Sequence, residues 1–418
     1  MNNFTVNSLD RQKEILLGSI IKYHRTNQNL STNYFSSIVG ISSAYMSEIE
    51  NGRKKPATYT LNKIFVELDL KFDFNTAIIL EFEEKFNLFY NAVVNGNDEK
   101  VENVYNNICC DKNKYFCSFV ALDYLILEYI YYIYTNPSNY SEKIEYLDKT
   151  INSFKNQITR KLLACFYDYR GVYFFSLNQC NKAIDSLTIA LNEKSTETIL
   201  SSIYYHFAII YQYLQQFGLA LDYLIKAELY CEKTYNYRKR MFLRIIKANI
   251  FSRLSEYASA DSLYNNVAQL AIDLNEKEIL IYAYENAAWN SIKGNLDNCL
   301  EYIKKAREYG SKYPYLWLYE LIIFYKQKDI NKCSCIIDSF KQEKVTDYFL
   351  SQVMHVFKQK ISNKKTTSIL LELYRKANKE RDYEKKTFIS YLLINELITQ
   401  SDYKRAFKYL SDITNFKE

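Results

Sequence analysis

Residues 31–56 read STNYFSSIVGISSAYMSEIENGRKKP, and this stretch decides the fold of the first part of the chain. Apolar Phe35, Ile38, Val39, Ile41, Met46 and Ile49 recur at helical spacing. That pattern predicts a short helix over 32–39, a second over 42–51, and one small core shared by both. Gly40 falls between them, where the left-handed backbone of a tight reversal is open to glycine. Ser42 offers its hydroxyl oxygen as the N-cap of the second helix. Gly52 ends that helix, and Arg53, Lys54 and Lys55 follow at once. This is the layout of a helix-turn-helix, in which the second helix enters the major groove of DNA.

Working outward, 9–27 is predicted helical, with Leu16, Leu17, Ile20, Ile21 and Tyr23 facing the core, and 1–9 is predicted to be a frayed lead. Pro56 marks a break, after which Leu61, Ile64, Phe65 and Leu68 predict a closing helix over 58–68. Residues 17–70 resemble the XRE, or lambda-repressor-like, helix-turn-helix family throughout. The phrase IS-x-x-Y-M-S-x-I-E-N-G-R-K-x-P carries the resemblance, because its glycine, proline and apolar spacings all agree. The resemblance implies that Arg25 pairs with Glu50 and ties the first helix to the recognition helix. Base readout is then expected from Ser43, Ala44 and Glu48 at the start of that helix, with Ser47 beside them. Ser and Glu can bond base edges, and the Ala44 methyl can pack on a thymine methyl. Glu48 has an equal reading as an acid that keeps clear of phosphates, and Tyr45 reads either as a wedge or as a phosphate donor. Thr32, Asn51, Arg53, Lys54 and Lys55 are the expected backbone contacts.

The 418 residues are enough for two or more domains and a sizeable core. Three prolines and eight glycines leave little punctuation for strands and turns, so the chain is expected to be all-α, helices joined by short connections. Its 41 tyrosines suit helix seams with a wet rim. A net charge of +6 does not by itself imply nucleic acid; the local run at 53–55 matters more. Nine cysteines form no metal-ligand pattern, since Cys109-Cys110 and Cys333-x-Cys335 are too close for a CxxC pair. An odd number without a secretory signal reads as reduced thiol in a cytoplasmic protein. The most apolar stretch, 119–134, contains Asp123 and Glu128 and is too short to span a bilayer. No phosphate-cradling glycine loop is present, and the histidines, His24, His206 and His355, form no HExxH or Cys/His cluster. No metal, no cofactor and no enzymatic activity are expected.

From about Asp69 the pattern becomes repetitive. A small or apolar residue is followed three later by a bulky one; twelve on from the first comes a small residue, then a bulky one four later and a small one three after that. Gly171, Phe174, Ala183, Leu187, Ala190 is the clearest case. It recurs from Ala208, Ala248, Ala287 and Leu321, and more weakly from Phe89, Lys358 and Ile394, with 119–155 a divergent copy; from Gly171 on, the starts lie 34 to 40 residues apart. That spacing is similar to tetratricopeptide repeats, helical hairpins whose small residues let the two helices approach closely. About seven to nine such hairpins would stack into a right-handed superhelix with a concave wall. The expected division is therefore a helix-turn-helix domain at 1–70 and a repeat domain at 71–418 for ligand binding and dimerisation.

An XRE-like head on degenerate tetratricopeptide repeats resembles the Rap–Rgg–NprR–PlcR–PrgX peptide-pheromone regulators, a layout that phage arbitrium receptors share. The resemblance implies a homodimer on a palindromic double-stranded DNA operator, its two recognition helices about 34 Å apart or a multiple of that. It also implies a short linear signalling peptide in the concave surface, and no membrane. An extended peptide has unpaired amide groups that need donors and acceptors. Tyr205, Gln212, Asn249, Asn286 and Asn290 are the candidates, and Arg253 is a candidate for a terminal carboxylate. Two other readings stay open: a constitutive DNA-binding protein whose repeats recruit a protein such as a response regulator, and a repeat scaffold with a vestigial helix-turn-helix.

Overall fold

The computed structural model describes residues 11–193, 195–343, 345–380 and 382–414, so the predicted lead at 1–9 lies outside the described residues. Among the described residues there are helices and no strands. Four helices make the head: α1 (Arg11–Asn27), α2 (Thr32–Val39), α3 (Ser43–Glu50) and α4 (Thr58–Glu67). Consecutive helix pairs follow, first α5 (Ala77–Val94) with α6 (Asp98–Cys110). After the short α7 (Lys112–Phe116) come α8 (Ala121–Thr135) with α9 (Ser141–Ser153), α10 (Arg160–Ser176) with α11 (Cys180–Asn192), and α12 (Glu197–Tyr213) with α13 (Phe217–Lys233). The series continues with α14 (Tyr237–Arg253) and α15 (Tyr257–Asp273), then α16 (Lys277–Lys293) and α17 (Cys299–Glu308). It goes on through α18 (Tyr315–Lys326) and α19 (Ile330–Gln342), α20 (Tyr348–Ile361) and α21 (Thr367–Lys379), and α22 (Tyr383–Thr399) and α23 (Tyr403–Thr414). By contact density the chain divides into two compact units, one ending at Leu243 and the other beginning at Arg244.

The repeat spacing maps onto these pairs. Ala183, Ala220, Ala260, Cys299 and Cys333, each twelve residues after the first repeat position, are all 0% exposed, where a larger side chain would push the two helices of a hairpin apart. Gly171 makes the point from the other helix: a Cβ there would sit 2.8 Å from Leu187 Cγ. Few glycines are available for the hairpin turns, so Asn178, Gln215, Ser255, Lys328 and Ser401 take the left-handed backbone, with φ from 58° to 66°. The register slips in the weak copies. Lys358 is exposed while its neighbour Phe357 is buried, and Leu410 stays on the surface.

In the first unit the head has its own core of Leu17, Ile21, Phe35, Val39, Met46, Ile49, Leu61, Ile64 and Leu68. Ile38, expected in that core, is instead 41% exposed, because a helix as short as α2 buries only one narrow face. Ile20 and Tyr23 are buried, but against the repeat helices rather than in the head. Helix α1 therefore has two buried faces. Its far side is fastened to the repeats by His24 Nε2 on the Phe116 carbonyl at 2.9 Å and by Tyr146 donating to Asn27 at 2.7 Å. Phe119 enters the head core from the repeat side, and Phe72 packs on both Phe65 and Phe119, with ring centres 5.4 and 5.2 Å apart.

Candidate nucleic-acid interface and ligand-binding residues

The head builds the recognition helix as its sequence dictates. Gly40 is left-handed at φ 78°, and its N–H bonds back to Ser36 and Ser37. The Ser42 hydroxyl accepts from the Tyr45 N–H at 3.2 Å. Helix α3 is held from behind by Met46, Ile49 and Glu50, all buried. Arg25 and Glu50 meet side-on, Nε to Oε1 at 2.5 Å and Nη2 to Oε2 at 2.9 Å, with Arg25 5% and Glu50 4% exposed. The remaining Arg25 Nη1 donates to the Leu30 carbonyl. A fork-on-fork pair of this kind fixes the orientation of two helices as well as their distance. The sequence reading passed over Gly18, where a Cβ would lie 2.2 Å from the Ile49 carbonyl oxygen, so only glycine lets α1 approach α3 this closely.

The opposite edge of α3 is open. Ala44, Ser47 and Glu48 are exposed, Ser43 and Tyr45 half-buried. Asn51 caps the helix and donates to the Ser47 carbonyl at 2.8 Å, while Thr32 opens α2, half-buried. The basic run is not uniform. Arg53 is exposed, and Lys54 lies 3.8 Å from Glu48 and over the Tyr45 ring. Lys55, expected to be available to phosphate, is half-buried and paired with Glu14 of α1 at 2.9 Å. Lys54 and Glu48 are both exposed, so their pair is weak and a phosphate can take the lysine from it.

In the first unit, Gln212 is half-buried, and the Tyr205 ring faces the Lys239 ammonium, 3.3 Å from its centre. Lys239 is buried, which pulls its pKa down to about 8, with Cys231 and Asp168 opposing. Beside it Asp168, fully buried, accepts from Ser202 at 2.8 Å and Tyr90 at 3.2 Å and meets His206 Nδ1 at 2.7 Å. This polar cluster was missed by sequence reasoning; its one signal was the rarity of histidine.

In the second unit, Asn249 accepts from Tyr264 at 2.5 Å, and Asn286 donates to the Tyr282 carbonyl on its own helix. Asn290, expected on an open wall, is drawn into the interior at 2% exposure, where its amide donates to the Tyr257 carbonyl. Its Oδ1 is left without a partner. The carboxylate assigned to Arg253 is already there. Glu384, on α22, stands 3.5 Å from Arg253 Nη2, accepts from Trp289 Nε1 at 2.7 Å and lies 3.3 Å from Lys293 Nζ. Partial desolvation by its neighbours would by itself raise the Glu384 pKa, but Lys293, Arg253 and the indole N–H together hold it below the ordinary carboxylate value.

No protein-family model matches the chain. Over 67 residues, 16% of this chain and 72% of the relative, it is 36% identical to the ImmF control region 10 kDa protein of Bacillus phage phi105, a match that supports the helix-turn-helix. A Rap protein solved with competence and sporulation factor is 16% identical; the match covers 81% of this chain and 97% of that one, at a TM-score of 0.62. NprR in complex with its cognate peptide NprX is 15% identical, over 81% of this chain and 100% of that one, at a TM-score of 0.55. Identities this low speak for the fold alone. Among the described residues no helix is long and apolar enough to cross a membrane. The chain therefore belongs to the XRE-type helix-turn-helix family through its head, and its tetratricopeptide-like body shares the helical-repeat fold of the Rap and NprR structures.

Proposed function

We propose that this chain is a DNA-binding transcriptional regulator whose grip on its operator is set by a short signalling peptide bound to the repeats. The observation that carries the DNA half is the free edge of α3. Ala44, Ser47 and Glu48 are exposed beside Arg53, while Met46, Ile49 and the Arg25–Glu50 pair hold the other side. Direct readout needs this arrangement, a rigid helix with a few short side chains free to reach base edges. It also weighs against a vestigial head, in which nothing would keep that edge clear.

The peptide half is supported by fold similarity to a Rap protein bound to competence and sporulation factor and to NprR bound to NprX. A peptide shifts DNA binding only if it binds two arrangements of the protein unequally. A homodimer supplies such arrangements, because the separation of its two recognition helices must match the half-site spacing. Tyr403 and Phe407, exposed one turn apart on α23, are an apolar pair suited to such an interface. The test is operator binding and mass of the purified protein, with and without synthetic candidate peptides taken from any short secreted reading frame found beside its gene. DNA binding that no peptide alters would favour the reading in which the repeats recruit a protein partner.

A further inference from the structure

In the second unit the Glu384 carboxylate is held by three donors from two other helices. Trp289 and Lys293 share its Oε1, Arg253 faces its Oε2, and the sequence separations are 95, 91 and 131 residues. Among the described residues Glu384 is the sole carboxylate bonded to any of the three. Two of the donors are braced without α22. Trp289 stacks on Tyr319 with ring centres 5.2 Å apart, and Lys293 Nζ lies 4.6 Å from the indole centre. Two cations face one anion, so the seat keeps an excess positive charge when Glu384 fills it. The Glu384 side chain is 45% exposed, and so is within reach of a competitor from solution.

We infer that Arg253, Lys293 and Trp289 form the seat for a carboxylate of the ligand, and that Glu384 is an internal competitor which the ligand must displace. The inference rests on the peptide-binding reading above and adds the chemistry of the contact. A planar carboxylate fits two cations and an indole N–H in the way Glu384 already does. The half-exposed position makes the internal contact weak enough to exchange. Helix α22, released from α14 and α16, then gives the liganded protein a different set of contacts. That difference is what a ligand-driven shift requires. The carboxylate can come from a peptide C-terminus or from an Asp or Glu side chain.

Full-length wild type, Glu384→Gln and the double variant Arg253→Gln/Lys293→Gln are each incubated with three random hexapeptide pools, and retained peptide is measured by mass spectrometry. The first pool lacks Asp and Glu and has a free C-terminus, the second is the same pool amidated, and the third is amidated but contains Asp and Glu. Glu384→Gln is expected to retain about two- to fivefold more of the first or third pool than wild type, since an exposed ion-pair competitor is weak. The pool that gains identifies the source of the carboxylate. The amidated acid-free pool is unchanged, and the double variant loses the preference. Equal retention by wild type and Glu384→Gln, or an equal gain for the amidated acid-free pool, overturns the seat while leaving peptide binding intact. Retention of no pool by any variant overturns the peptide reading itself, and the seat with it.

Discussion

Truncating Glu50 to Ala would strand the Arg25 guanidinium in the interior of the head. Both partners are about 95% buried, and two near-parallel N–H to O bonds at 2.5 and 2.9 Å join them. Breaking a buried pair from one side costs about 3–5 kcal/mol, because the remaining charge has neither water nor partner. Arg25 keeps its bond to the Leu30 carbonyl, which places the expected loss for Glu50→Ala at about 3 kcal/mol, the lower end of that range. The double replacement Arg25→Met/Glu50→Leu fills the volume with apolar atoms and removes both charges, a change that is often neutral. It still leaves the Leu30 carbonyl short of a donor, a penalty of about 1 kcal/mol. Hydrogen exchange read peptide by peptide is the suitable assay, because Trp289 and Trp317 both lie in the second unit and report nothing on the head. In Glu50→Ala the protection of α1 and α3 should fall by about a hundredfold, at about 1.4 kcal/mol per decade. The double variant should recover most of it. Equal loss in both would refute the reasoning, since the cost would then arise from lost packing and not from an unpaired charge.

Other outcomes follow from single contacts. Lowering a buried lysine to about 8, as at Lys239, corresponds to about 3 kcal/mol of charge burial, offset in part by the Tyr205 ring at up to about 2 kcal/mol. Lys239→Met should therefore raise the melting temperature at pH 7. The folded protein sheds this proton near pH 8 and the unfolded chain only near its ordinary value, so wild-type stability rises between those limits and the advantage of the variant should shrink. Gly18→Ala forces a methyl into the Ile49 carbonyl and should destabilise the head by about 3 kcal/mol, seen as accelerated exchange in α1 and α3. Gln215→Gly and Lys328→Gly relieve left-handed strain at hairpin turns, and each should stabilise by about 1 kcal/mol in urea melts. Glu48→Ala removes a base-edge group and also frees Lys54; altered operator preference would mark readout, whereas tighter binding to all DNA would mark charge alone.

The helix-turn-helix was legible because its determinants are local: Gly40 at the turn, Ser42 at the cap, and apolar residues on one face within 20 positions. The hairpins were legible for a related reason. Close approach at positions such as Ala183, Ala260 and Cys333 allows small residues only, and that requirement repeats at a fixed offset. Features set by partners distant in sequence were not legible. Ile38 reads as core by period yet lies on the outer side of a two-turn helix, and Lys55 reads as a phosphate contact until Glu14 is seen beside it. Asn290 and Asn286 look alike as a string, but one is buried against the preceding hairpin and the other is half-exposed. Nothing near position 384 announces that its carboxylate meets Arg253, 131 residues earlier. The Arg25–Glu50 pair is the exception, reached through the resemblance of the head to a known family.

The central claim is that the repeats control the head through a bound peptide. Its most direct test is the affinity of the full-length protein for its operator, titrated with a peptide that the protein has been shown to retain, at fixed salt. The account predicts a shift of tenfold or more with wild type that is abolished by Arg253→Gln/Lys293→Gln. Peptide that binds tightly and leaves operator affinity where it was would contradict it.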